Sequence, residues 1–225
     1  MRRVRNLLTT LAFLLPFKRL KVRVLNLLGH SIHPTAYLGI NLVKSVGRFE
    51  LAEGTAIGNF NVIGGIDRVE MGVGARINYL NLITSGITLP TDPGAERNDV
   101  ARTLRMGAHS RIMTMHVIDC SGGLVLGEDC WLTGMRSTVL THVFDPHDGG
   151  VIVEPVELEK GSVVSTNCTL LAGAVIGEGA LLAAGSTVWT RQELKAENLA
   201  GGVPARRLAP IKINDWGYRW QRYGG

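Results

Sequence analysis

Residues 158–188, LEKGSVVSTNCTLLAGAVIGEGALLAAGSTV, place an aliphatic side chain at every sixth position: Leu158, Val164, Leu170, Ile176, Leu182 and Val188. A small residue follows each of the first five by four positions, at Ser162, Cys168, Ala174, Ala180 and Ser186. A period of six fits neither the 3.6-residue turn of a helix nor the alternation of a half-buried strand. It fits a β-helix, in which each hexapeptide is one flat side of a triangular coil. The aliphatic residue points into the coil and stacks on its counterparts above and below. The small residue sits near the corner. A stack of this kind buries a continuous core only when several coils add up, so the pattern must extend upstream.

It does. Leu51, Ile57 and Ile63 are in step, with Thr55 and Asn61 in the small slot. Met71, Ile77 and Ile83 follow in a shifted frame with Ala75 and Asn81, then Met106, Ile112 and Ile118, then Leu126, Cys130 and Leu132. Ile32 and Leu38 open the series. The expected organisation is a helical segment over 1–30, a β-helix over 31–208 and a C-terminal tail over 209–225. Two stretches break the rhythm, near 84–105 and 142–155, and their Pro, Gly and charged residues read as loops thrown out from a corner.

The net charge of +5 is unevenly spread. Residues 1–23 hold Arg2, Arg3, Arg5, Lys18, Arg19, Lys21 and Arg23 and no acid, which leaves the remainder at −2. The body therefore lacks the basic stripe with aromatic platforms that nucleic-acid binding requires. Leu7, Leu8, Leu11, Leu14 and Leu15 recur at helical spacing between the basic clusters, and Val22, Leu25 and Leu28 continue the stripe beyond Pro16. The apolar run is too short to span a bilayer, and no small-residue cleavage site follows it. Two readings stay open for residues 1–28: a peripheral contact with an anionic membrane surface, and a cap across the end of the β-helix. Trp216, Tyr218, Trp220 and Tyr223 in the tail suit a cover for the last coil or a contact with another subunit.

Three cysteines are an odd number, with no zinc or redox spacing. Cys130 and Cys168 occupy the inward slot and read as packing residues. A reducing compartment follows, so the expected location is cytoplasmic, at the inner face of the membrane if residues 1–28 bind it.

His142 stands where a regular coil opens into a Gly/Pro/Asp loop. Imidazole exchanges protons near neutral pH and can take one from a hydroxyl. Asp145 could orient His142 or the acceptor.

The run LTHVFDP (140–146), the resumed repeat and the exit GGVPARRL (201–208) resemble the hexapeptide acyltransferases, in particular the maltose and galactoside O-acetyltransferase branch and its polysaccharide-modifying relatives. The resemblance covers about Gly127 to Leu208. It implies a left-handed parallel β-helix assembled as a homotrimer with active sites between subunits. It implies acetyl-CoA as donor, a saccharide hydroxyl as acceptor, no metal, and His142 as the base that deprotonates the acceptor for direct attack on the thioester. Cofactor positions carry over to Thr166 and Ala184 at the pantetheine arm, Trp189 and Thr190 at the adenine end, Arg191 as a displaced positive charge, and Arg206 at the nucleotide phosphates with Arg207 beside it. Acceptor-side positions fall on Asp119, Met115 and His116. Where the small-sugar branch often has an asparagine and a tryptophan, this chain has Thr114 or Met115 and Val163. A bulkier acceptor follows, such as a glycan precursor or a lipid-linked sugar. Two alternatives stand beside this reading. One is a γ-type carbonic anhydrase-like zinc site built on His142 and His147, four residues apart in the count between them, with His116 or His109 as third ligand. The other is a non-catalytic β-helix scaffold.

Overall fold

The computed structural model describes residues 2–86, 99–147 and 149–212. The aromatic tail residues and most of the first inserted loop lie outside these. Among the described residues, short strands stack in parallel into three sheets of eight, nine and seven strands, one per side of the coil. The first face begins at Ser31–Ile32, the second at Tyr37–Leu38 and the third at Leu42–Lys44. Each strand pairs with the strand one full coil away, so Leu158 lies opposite Ile176 and Val164 opposite Leu182. All six aliphatic residues of the 158–188 stretch are buried, as are Ser162, Cys168, Ala174, Ala180 and Ser186. An inward Ile or Leu of this kind contributes about 1.5–3 kcal/mol through burial alone.

The shifted frame upstream has a geometric cause. Leu158 to Ile176 makes a coil of 18 residues, but Leu51 to Met71 makes one of 20. The additional residues widen the corner between the third and first faces, and Val46, Phe49, Ile66 and Val69 fill the extra interior. Both inserted segments leave from this same corner. The second is a β-hairpin, His142–Phe144 pairing antiparallel with Val151–Val153. The exit sequence is also a hairpin: Asn198–Gly201 pairs with Arg206–Pro210 and extends the second face.

Two helices, α1 (Arg2–Leu14) and α2 (Lys18–Leu27), cross the open end of the first coil. Pro16, which cannot donate to a helical ladder, separates them. Arg5 donates to Gly47 O at 3.2 Å, and Thr10 donates to Val43 O. The Phe13 ring packs on Phe49 at 5.0 Å between centroids. Buried Lys21 donates to Phe13 O near the end of α1 and to Leu38 O and Gly39 O of the first coil, tying the helix end to carbonyls that the coil end would leave bare. Burial lowers its ammonium to about 8. The capping reading of residues 1–28 thus describes their packing. No helix among the described residues is long and apolar enough to cross a membrane.

Inside the corner between the second and third faces runs a polar ladder. Asn61 N–H donates to Asn41 Oδ1 at 2.8 Å, and Asn81 N–H to Asn61 Oδ1 at 2.9 Å. His116 N–H continues to Asn81 Oδ1 at 2.9 Å, Ser137 N–H to His116 Nδ1 at 3.1 Å and Cys168 N–H to Ser137 Oγ at 3.1 Å. His30, under the cap, accepts the Phe49 N–H at 3.2 Å. Burial pushes both imidazoles down to about 4, with Arg5 and Arg48 adding to the effect at His30. Between pH 6.5 and about 4 the unfolded chain therefore binds more protons at these sites than the folded one. Lowering the pH through that window is expected to cost up to about 1.4 kcal/mol per pH unit for each histidine. Denaturant midpoints at pH 7, 6 and 5 check this, and a flat profile contradicts it. In His116→Asn, which keeps the ladder's acceptor type, the decline should be roughly halved.

Candidate active site

His142 Nδ1 lies 2.8 Å from Asp119 Oδ2, one coil back. The histidine side chain is 25% exposed and the aspartate 9%. Asp119 ends the strand Val117–Asp119 and is surrounded by donors. Its Oδ2 receives the Thr141 hydroxyl at 2.6 Å and the Thr141 amide at 3.2 Å, and its Oδ1 receives the Ser121 hydroxyl at 2.7 Å. Burial opposes ionisation here, but the donors from Thr141, Ser121 and His142 outweigh it and hold the carboxyl below its ordinary range. An ionised carboxylate only accepts, so the imidazole proton sits on Nδ1. The Nε2 lone pair then points away from Asp119, available at the rim.

Asp119 is the carboxylate that orients His142. Asp145 instead accepts the His147 N–H at 2.9 Å and closes the turn of the hairpin. Two acceptor-side expectations are corrected. Asp119 has its oxygens occupied within the chain and stands behind the histidine. His116 is fully buried with its Nδ1 taken by Ser137 N–H, because it fills an inward slot of the polar ladder. Met115, next to it, is exposed at the same corner.

The cofactor positions divide between two corners. Thr166 and Ala184 lie on successive coils at the second–third corner, where Gly185 N–H donates to Thr166 O at 3.0 Å. The Thr166 hydroxyl donates to Met135 O at 2.8 Å. One extra residue bulges there: Leu132 and Val139 are seven apart, the strand register shifts between residues 132 and 135, and Gly134 takes a φ of 63°. A Cβ on Gly134 would come within 2.5 Å of the Thr166 Cβ, so the close approach of these two coils requires glycine. Trp189, Thr190 and Arg191 belong to the third–first corner with His142. Arg191 donates to both oxygens of Glu154, from Nε at 2.8 and 3.1 Å, so its charge is already paired. Arg206 is exposed on the exit hairpin and donates to Ala205 O at 3.2 Å. Arg207 donates to Asn198 Oδ1 at 2.6 Å.

The three-histidine zinc set is not assembled within the chain. His116 is sealed inside one corner, His109 belongs to the first–second corner, and His147 is exposed in the hairpin turn. Among the described residues no three His, Cys, Asp or Glu side chains lie close enough to share a metal.

Neither a protein-family model nor a curated protein matches this chain. Solved structures do. The product of the BC4754 gene of Bacillus cereus is 18% identical, with 84% of this chain and 91% of that one covered and a TM-score of 0.59. A hexapeptide-repeat-containing acetyltransferase from Vibrio cholerae is 15% identical over 94% and 91%, with a TM-score of 0.54. An alanine variant of AntD, an N-acyltransferase from Bacillus cereus in complex with dTDP and coenzyme A, is 18% identical over 76% and 86%, with a TM-score of 0.54. The chain has the left-handed hexapeptide-repeat β-helix fold. At these identities the likeness establishes that fold.

Removing the orienting charge gives a separate expectation. Asp119→Asn removes the charge and one of the two acceptor oxygens, so Thr141 at Oδ2 and Ser121 at Oδ1 are no longer both satisfied and the Nδ1–H tautomer of His142 is no longer fixed. If His142 is the base of the reaction proposed below, turnover should fall roughly tenfold or more while KM stays within about twofold, because the imidazole remains but is wrongly poised in part of the population. Steady-state kinetics beside a melting curve check it. An equal loss in KM, or a collapse of the melting temperature, would assign Asp119 to scaffolding alone.

Proposed function

We propose that this chain is an acyl-CoA-dependent acyltransferase that moves an acetyl group from acetyl-CoA to a saccharide hydroxyl. The observation that carries the reading is the oriented His142, with Nδ1–H held by ionised Asp119 and Nε2 open at the rim of the coil. In the reaction, Nε2 takes the proton of the acceptor hydroxyl as its oxygen attacks the thioester carbonyl carbon. The carbon–sulfur bond then breaks, and the imidazolium returns the proton to the CoA thiolate. No acyl-enzyme is needed. The names of the Vibrio acetyltransferase and of AntD with its coenzyme A support the donor class.

The active assembly is a homotrimer in this reading. The outer side of the third face carries a vertical apolar row, Leu42, Val62, Leu82 and Val117, in register from coil to coil. Beside it Ile40, Phe60, Leu80 and Met115 are exposed on the adjoining corner. Phe60, Leu80 and Met115 hold φ values of 60–63°, a left-handed conformation costly for large side chains. Keeping bulky apolar groups in strained, exposed positions supports an interface. This face separates His142 from the Thr166–Ala184 corner. One chain alone holds the two sets about six residues apart along a strand path, roughly 20 Å. A neighbouring copy seated on the face brings one set from each chain to a shared cleft.

The test is acceptor-dependent release of the CoA thiol from acetyl-CoA with a panel of neutral and amino sugars, free and lipid-linked. Alkali-labile ester product on hydroxyl acceptors supports the reading. Transfer solely to amines, as an alkali-stable amide, overturns the O-acetyl assignment. The absence of any acceptor-stimulated thiol release overturns the transferase.

A further inference from the structure

Helix α1 turns its leucines away from the coil that it caps. Its inward side presents Thr9, Ala12 and Phe13, while Val4, Leu7, Leu8, Leu11 and Leu14 face away from the coil. Phe17 and Leu20 extend the outward apolar surface across the break into α2, and Leu27, 87% exposed, ends it. A helix that merely sealed the coil would turn its leucines to the core. The same outer surface is basic. Arg3, Lys18, Arg19 and Arg23 are exposed around the apolar stripe, and the first acidic residue of the whole chain is Glu50.

The occupant of this surface must be apolar and anionic together. A second copy offers the apolar part but sets one acid-free cationic cap against another, which like-charge repulsion disfavours. We infer that the cap docks on an anionic phospholipid leaflet, with the α1 leucines in the acyl boundary and the arginines and lysine at the headgroups. In that pose the coil axis stands away from the bilayer. Four rungs separate the capped coil from the one that carries His142, about 20 Å at ~4.8 Å per rung. The site would face glycans anchored in the same leaflet. That last consequence rests on the proposed acetyl transfer, whereas the docking itself does not.

Co-sedimentation of the full chain with vesicles tests it. Binding is expected to vesicles with roughly one-third phosphatidylglycerol, to weaken in high salt, and to be absent on pure phosphatidylcholine. The pair Leu7→Ser with Leu11→Ser, and separately Arg19→Ser with Arg23→Ser, should each weaken binding about tenfold or more. Both pairs are exposed, so melting temperature should not move. Failure of the wild-type chain to bind anionic vesicles overturns the inference, as does undiminished binding by the Leu7/Leu11 pair. A changed mass in sedimentation velocity for that pair, with vesicle binding unaltered, would make the surface a contact between copies instead. Thiol release measured on soluble acceptors reports the transferase independently of either result.

Discussion

Replacing His142 by alanine is expected to leave the coil and its assembly intact and to lower turnover by a factor of about 10² or more. The fold should tolerate the change because the His142 side chain is partly exposed and contributes one side-chain hydrogen bond, to Asp119. Thr141 and Ser121 keep that carboxylate satisfied after the imidazole is gone. The proposed reaction should not tolerate it, because that chemistry needs an acceptor for the hydroxyl proton at the moment the oxygen attacks. Neither carboxylate in sequence reach can substitute. Asp119 is enclosed by its donors, and Asp145 is engaged in the hairpin turn. Steady-state rates of thiol release, with size-exclusion and melting controls, decide the matter. Wild-type turnover in the variant would remove His142 from the mechanism, and with it the central support for the transferase reading. Because the loss is expected in the chemical step, KM for acetyl-CoA should change little. A large rise in KM alone would mean that the imidazole binds substrate without taking its proton.

The repeat was legible because its signal is local and redundant. Each inward aliphatic from Leu158 to Val188 is announced by its own position in a fixed period, and each occupies the buried site the period assigns. The same rule reaches further. Four places after Ile57 and Ile77 come Asn61 and Asn81, and four places after Ile112 comes His116. The slot that makes the asparagines part of an internal ladder also makes this histidine one, so its burial could have been read directly. The partner of His142 could not. Asp119 is 23 residues upstream, and its placement depends on a coil lengthened by the Gly134 bulge. Spacing alone brings Asp145 nearer in sequence, but the hairpin it closes carries it to a different task. Both orientations of α1 stayed open in the sequence. A stripe of leucines marks a core-facing or a membrane-facing side alike, and the packing of Phe13 on Phe49, with Thr10 on Val43 O and Arg5 on Gly47 O, fixes the opposite side inward. Local periodicity therefore located the core, whereas contacts between coils decided which carboxylate pairs with His142.

The second large effect is expected at the apolar row. Leu82→Asp with Phe60→Asp puts one carboxylate on the outer side of the third face and one on the adjoining second–third corner, without touching the inward residues Ile63 and Ile83. Both changed side chains are exposed in the single chain, so its melting should be little affected, and Asp suits the left-handed backbone at position 60 better than Phe does. In an assembly the same groups would be buried without partners, a cost of several kcal/mol per interface. The expected result is a shift in sedimentation velocity from three copies of the 24.3 kDa chain to one. Turnover should fall about 10²-fold or more at the same time, although neither residue lies on the corner that holds His142. Joint loss of trimer and activity would tie the reaction to a cleft shared between copies. A monomer with full activity would show that one chain brings His142 and the thioester together unaided. A trimer that persists with both charges in place would mean that the copies meet through another face, and the exposed row on these coils would need a different partner.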